Sequence, residues 1–161
     1  MRLLFAFLLI SSFAVAQQNN QKIAYQYYIN GEYEKAIVLY EDLMDERFSV
    51  AYFSPYFQSL ISLEDYKSAE LLAKKVARKY PNNLNYQLQV GVAQLKAGDT
   101  KKSEKTFEKV TGKVDGIRSQ AINLANTFNR YSLFKKALNI YLLAEKLNPK
   151  NNFGNQKGQL Y

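Results

Sequence analysis

Gly31-Glu32-Tyr33-Glu34-Lys35-Ala36 decides the fold, because it returns in altered form along the chain. It comes back as Glu64-Asp65-Tyr66-Lys67-Ser68-Ala69, as Gly98-Asp99-Thr100-Lys101-Lys102-Ser103 and as Ser132-Leu133-Phe134-Lys135-Lys136-Ala137. The small residues Ala36, Ala69, Ser103 and Ala137 therefore recur about every 34 residues. Downstream of each stand first Tyr40, Ala73, Phe107 and Tyr141, then Leu43, Val76, Val110 and Ala144. Two copies close on a proline, Pro81 and Pro149. A small residue lets two helices approach closely, and the larger slots fill the space around that contact. Gly31 and Gly98 suit a tight turn that needs positive φ. Pro81 and Pro149 end helices.

Working outward, apolar residues recur at three and four around each copy, as on the buried stripe of an amphipathic helix. Ala36, Ile37, Leu39, Tyr40 and Leu43 show it, as do Ala137, Leu138, Ile140, Tyr141 and Ala144. The pattern predicts helices over roughly 18–30, 33–46, 51–62, 65–79, 83–97, 100–113, 116–131 and 134–147. The composition agrees: 47% hydrophobic residues, 3 Pro and 7 Gly suit a packed helical protein.

On these residues the chain resembles the tetratricopeptide-repeat (TPR) family, over nearly all of its length after the first segment. The resemblance implies an all-α, TPR-type helical solenoid of antiparallel helix pairs wound as a right-handed superhelix. Its repeats fall at about 17–50, 50–83, 84–117 and 118–151, with 152–161 opening a further helix or forming a short cap. Gly91 fills the small slot of a first helix, where the other repeats place Ala24, Phe57 and Ala125. Phe57 is bulky there and Pro55 lies in the first turns of the same helix, so the second repeat is expected to start late or pack at an unusual angle. Thr100 replaces the aromatic that opens the other second helices.

Met1–Ala16 has the parts of a cleavable signal peptide. Arg2 is the positive start, Leu3–Ile10 the apolar run, and Ala14-Val15-Ala16 the small-residue cleavage pattern, giving a mature chain from Gln17. The apolar run is short for a membrane span, which needs about 20 residues. The expected location is outside the cytoplasm: in the periplasm, associated with the outer membrane, or secreted. With the repeats, this is similar to exported TPR proteins of Gram-negative bacteria. No transmembrane segment is expected in the mature chain.

The chain has no His and no Cys. That removes the commonest general base, the thiol nucleophile and the strongest transition-metal ligands. Glu41, Asp42, Asp45 and Glu46 lie together, but no loop of alternating ligands follows to hold calcium. No Gly-rich phosphate loop occurs. The expectation is a non-enzymatic scaffold with no catalytic residues, no cofactor and no metal.

TPR solenoids bind partners in the concave groove lined by first helices. The resemblance carries that groove onto Gln21, Tyr25 and Tyr28, onto Ser54, Gln58 and Ile61, onto Asn85, Gln89, Val92 and Lys96, and onto Asn123, Asn126, Asn129 and Arg130. Such a wall is rich in amides, which can serve the backbone of an extended peptide, with aromatic area beside them. The clamp some TPR proteins close on carboxylate tails needs Lys, Arg and Asn at set places. Here those places hold Gln21, Tyr25, Pro55, Asn85 and Gln89, or Ser54, Gln58, Gln89, Ser119 and Asn123, so the clamp is missing. The expected partner is a protein or peptide. An exported chain is not expected to meet nucleic acid. A second reading rests on the net charge of +8. Lys67, Lys74, Lys75, Arg78 and Lys79 share one helix, and Lys101, Lys102, Lys105, Lys109 and Lys113 the next. That Lys-rich convex face would contact an anionic surface or envelope polymer.

Overall fold

A computed structural model describes residues 20–46 and 48–160. The expected signal peptide, Met1–Ala16, lies outside the described residues. Among the described residues the chain is helical, without strands. Helix α1 covers 20–29. It is followed by α2 (Tyr33–Glu46), α3 (Phe53–Ser62), α4 (Tyr66–Lys79), α5 (Leu84–Lys96), α6 (Thr100–Thr111), α7 (Arg118–Arg130), α8 (Phe134–Leu147) and a short α9 (Gly154–Gly158). The chain divides into two compact units, one ending at Ser68 and one running from Ala69 to Tyr161.

In the first unit α2 packs on α3. Its core is aromatic: Tyr40 stacks on Tyr56 with ring centroids 6.1 Å apart, and Phe53 lies 5.5 Å from Phe57. Helix α3 begins at Phe53, later than the sequence pattern predicts. Pro55 then falls in its first turn, where a backbone N–H has no helical partner to lose. Phe57, the bulky residue in a small slot, is fully buried.

In the second unit α5 packs on both α6 and α7, and α7 on α8. Helix α5 is therefore covered on several sides, and Leu84 and the run from Leu88 to Gln94 are buried. Phe107 of α6 meets Phe128 of α7 edge-to-face at 5.2 Å.

The repeated slots are the core. Ala36, Ala69, Ser103 and Ala137 are all completely buried. So are Ala73 and Val76, and Tyr40, Leu43, Phe107, Val110, Tyr141 and Ala144 are exposed by at most 2%. The turns repeat as well. Gly31, Glu64, Gly98 and Ser132 all have positive φ, at 77°, 60°, 82° and 59°. Each donates its N–H to the carbonyl three residues back, and the next residue donates to the carbonyl five back, as in Gly98 to Leu95 and Asp99 to Gln94. These bonds form a Schellman motif, which satisfies carbonyls left open at the end of a helix. Asp65 and Asp99 then cap the following helices, accepting from the N–H of Ser68 and Lys102.

Chain beyond α8 is held in place. Phe153 is fully buried and stacks on Tyr141 with centroids 4.8 Å apart. The Arg118 guanidinium lies 4.7 Å from the centroid of the Phe153 ring and donates to the Asn152 carbonyl at 2.7 Å. The Asn151 amide donates to the carbonyls of Gly116 and Ala144.

Candidate functional site

Of the residues expected to line a groove, the second unit brings a subset together. An open cleft of about 650 Å³ runs beside the N-terminal ends of α5 and α7. Asn85 and Asn123 line it, joined by Asn82, Asn83 and Gln120. Tyr80 and Ile117, both exposed, add apolar surface to the same walls.

Local structure explains why these amides gather there. Pro81 ends the approach to α5, and Asn83 caps that helix by accepting from the Asn85 N–H at 3.1 Å. The Asn85 side chain points across to α7, where the Thr127 hydroxyl donates to its Oδ1 at 2.7 Å. Asn85 also lines the cleft, so this bond fixes an amide side chain at its wall. The same Thr127 hydroxyl lies 3.1 Å from the Asn123 carbonyl, so its one proton is shared between an acceptor on α5 and one on α7. Sequence reasoning passed over Thr127, Asn82, Asn83 and Gln120. The signal available was the Asn82-Asn83 pair following Pro81, which is both a cap and a cluster of amides.

Gln89 is buried, and its side-chain oxygen accepts from the Tyr131 hydroxyl at 3.4 Å, which braces α5 against the end of α7. Val92 is buried as well. Lys96, Asn126, Asn129 and Arg130 are exposed but lie away from the cleft lining. In the first unit Gln21 and Tyr25 are exposed, Tyr28 and Gln58 half-buried. Tyr25, Tyr28 and Tyr33 form a run of tilted rings spaced 6.0 and 6.3 Å. Ser54 is exposed and Ile61 half-buried.

Among the described residues no group of carboxylates could hold a metal ion. The acidic residues with lowered pKa values are tied up in pairing. Glu32 and Asp99 are held down by hydrogen bonds from Lys35 and Lys102. At Glu70 burial pushes upward, but bonds from Lys74 and Gln94 outweigh it. None of these stands in the amide cleft. Among the described residues no helix is long and apolar enough to cross a membrane.

No protein-family model matches the chain, and no curated protein is similar in sequence. Solved structures of MamA, a TPR-repeat protein, are similar in fold. MamA RS-1, an ArsTM double mutant, superposes with a TM-score of 0.54 at 17% identity, over 89% of this chain and 82% of its own. MamA AMB-1 in a P212121 form gives 0.51 at 15% identity, over 86% and 76%. The all-helical architecture of adjacent helix pairs is thus of the TPR type.

Proposed function

We propose that this chain is a non-enzymatic scaffold that binds an extended segment of a partner protein along its first helices. The amide-lined cleft beside α5 and α7 carries that reading. An extended peptide exposes a donor and an acceptor at every residue, and side-chain amides supply both. Asn82, Asn85, Gln120 and Asn123 can pair with such a backbone whatever its sequence. Tyr80 and Ile117 would take apolar side chains of the peptide. The TPR architecture supports the same role, since repeat stacking produces extended binding surfaces. The site works in an exported compartment of the cell envelope, a reading supported by the Arg2, Leu3–Ile10 and Ala14–Ala16 pattern.

Photo-crosslinking tests the site. A crosslinking residue at Gln120 should trap a partner from envelope extract, and one at the exposed Lys135 of α8 should not. Asn85→Ala with Asn123→Ala should abolish the Gln120 product while circular dichroism stays unchanged. Thr127 keeps its bond to the Asn123 backbone in that variant. Equal trapping at both positions, or trapping that survives the double substitution, would remove the cleft from the proposal.

A further inference from the structure

A second cleft, of about 760 Å³, lies where α4, α5 and the end of α6 meet. Lys74 and Arg78 line one side from α4, Lys109 and Lys113 the other. Lys74 and Arg78, four apart on α4, share a face of that helix, while Lys109 stands in the last turn of α6 and Lys113 just beyond its C-cap. No Asp or Glu lines the space between them. Its floor is apolar, formed by Val90 and Val110.

The charges on the two sides are unequal. Lys74 is paired with Glu70 at 2.7 Å. Glu70 also accepts from Gln94 at 2.8 Å, and Gln94 from Thr106 at 2.8 Å, so that end is braced across α4, α5 and α6. Lys113 donates to the Gln87 side-chain oxygen at 3.0 Å, a neutral partner that brings no counter-charge. Arg78 and Lys109 make no ion pair among the described residues. Positive charge from both sides thus faces an apolar strip with no internal counter-charge.

We infer that this cleft docks an acidic segment of a partner protein, its carboxylates against Arg78, Lys109 and Lys113 and an apolar side chain on the Val90–Val110 floor. Cations alone would suit any polyanion. The floor decides between them. A phosphate chain gains nothing from buried valines, and the lining has no aromatic ring on which a base could stack. A bilayer surface is too flat to follow a concavity between helices. A peptide carrying Glu and Leu can use both features at once. This site is separate from the amide cleft and stands whether or not that one binds peptide.

Fluorescence anisotropy of a labelled peptide repeating Glu-Glu-Leu tests the inference on the purified chain. Arg78→Glu with Lys109→Glu should weaken binding at least tenfold. Lys101→Glu with Lys105→Glu makes the same change in net charge on exposed positions of α6, and should weaken it less than twofold. Replacing Leu by Ser in the peptide should also weaken binding severalfold. The comparison is made in the Asn85→Ala with Asn123→Ala background, so that binding of the peptide backbone at the amide cleft does not enter it. Should the reversal variant lose its helical circular dichroism, Arg78→Gln with Lys109→Gln takes its place, with the same tenfold criterion. Equal weakening by the two charge reversals would overturn the inference, leaving only net charge. So would a Ser peptide that binds as well as the Leu peptide. Tighter binding of polyphosphate or of phosphatidylglycerol vesicles than of the peptide would assign the cleft to those anions instead.

Discussion

Ser132 holds the left-handed backbone that Gly98 holds one repeat earlier, at φ 59° against 82°, and the two turns make the same pair of hydrogen bonds. Only one of the two residues suits that conformation. A side chain with a Cβ is strained there by roughly 1–2 kcal/mol, and glycine is not. Ser132→Gly should therefore stabilise the second unit by about 0.5 kcal/mol, after the extra freedom glycine has when unfolded is subtracted. Glu64→Gly should do the same for the first unit. Gly98→Ala should cost about 1 kcal/mol from φ alone, since nothing lies within 4 Å of the added Cβ. Thermal melts of the three variants check the order. A Ser132→Gly protein less stable than the parent would show that the turn is not strained.

Gly91 poses the opposite case, because its backbone is ordinary and its surroundings are tight. A Cβ there would stand 2.5 and 2.8 Å from atoms of the Phe107 ring. That ring is almost wholly buried and meets Phe128 edge-to-face, so it has little room to retreat. Alanine gains about 1 kcal/mol of helix propensity over glycine. Overpacking a rigid core costs typically 1–3 kcal/mol, and here it should prevail. Gly91→Ala is expected to lower the denaturation midpoint, and Gly91→Ala with Phe107→Leu to recover part of the loss. A Gly91→Ala chain more stable than the parent would mean that the α5–α6 contact is looser than described.

Much of this was legible in the sequence because a repeat checks itself. Ala36, Ala69, Ser103 and Ala137 stand in phase, and all are completely buried. The same register held a sign that glycine alone did not show: Glu64 and Ser132 occupy the turn position of Gly31 and Gly98, and share their φ. The site was less legible. Projecting groove positions treats every first helix alike, whereas α5 is covered by both α6 and α7, which buries Gln89 and Val92. The Asn85–Thr127 bond depends on how two helices cross, and no spacing within one helix encodes that.

The first unit should respond to alkali through its tyrosines. Burial pushes Tyr56 up to about 12 from an ordinary 10.0, with Glu41, Asp45 and Asp65 adding to it. Tyr40 is raised too, first by burial, and its hydroxyl is buried without a hydrogen-bond partner. A raised pKa means that the native state holds the proton more tightly than the unfolded chain. The stability this gives is complete below pH 10 and is lost as the pH rises towards 12. Tyr40→Phe removes the unpaired hydroxyl. It should raise the melting temperature at neutral pH, since a buried unsatisfied group costs about 1–3 kcal/mol, and should flatten the alkaline decline. A Phe variant that melts lower would show that the Tyr40 hydroxyl is bonded in solution.

The contact between Phe153 and Tyr141 of α8 should set the stability of the segment that follows α8. Phe153 is fully buried against Tyr141 and beneath Arg118, although α9 beyond it is a single short turn of helix. A helix that short has no stability of its own in water, so its order depends on the docked ring. Phe153→Ala should destabilise the second unit by about 3 kcal/mol, the low end for a buried phenylalanine. Deleting 152–161 should do at least as much, and should promote association through the uncovered surface. The Glu145 carboxylate also holds the segment, accepting from Lys157 and from the Phe153 N–H. Those bonds keep its pKa below the ordinary 4.5, with Lys157 the larger cause. Their contribution is present above that pH and fades as acid protonates the group. Hydrogen exchange should therefore show the N–H of Phe153 and Lys157 protected at pH 7 and more labile, after correction for intrinsic rates, at pH 3.5. A deletion that leaves the melt and the monomer unchanged, with no pH effect on those amides, would show that Phe153 does not hold this segment of the second unit.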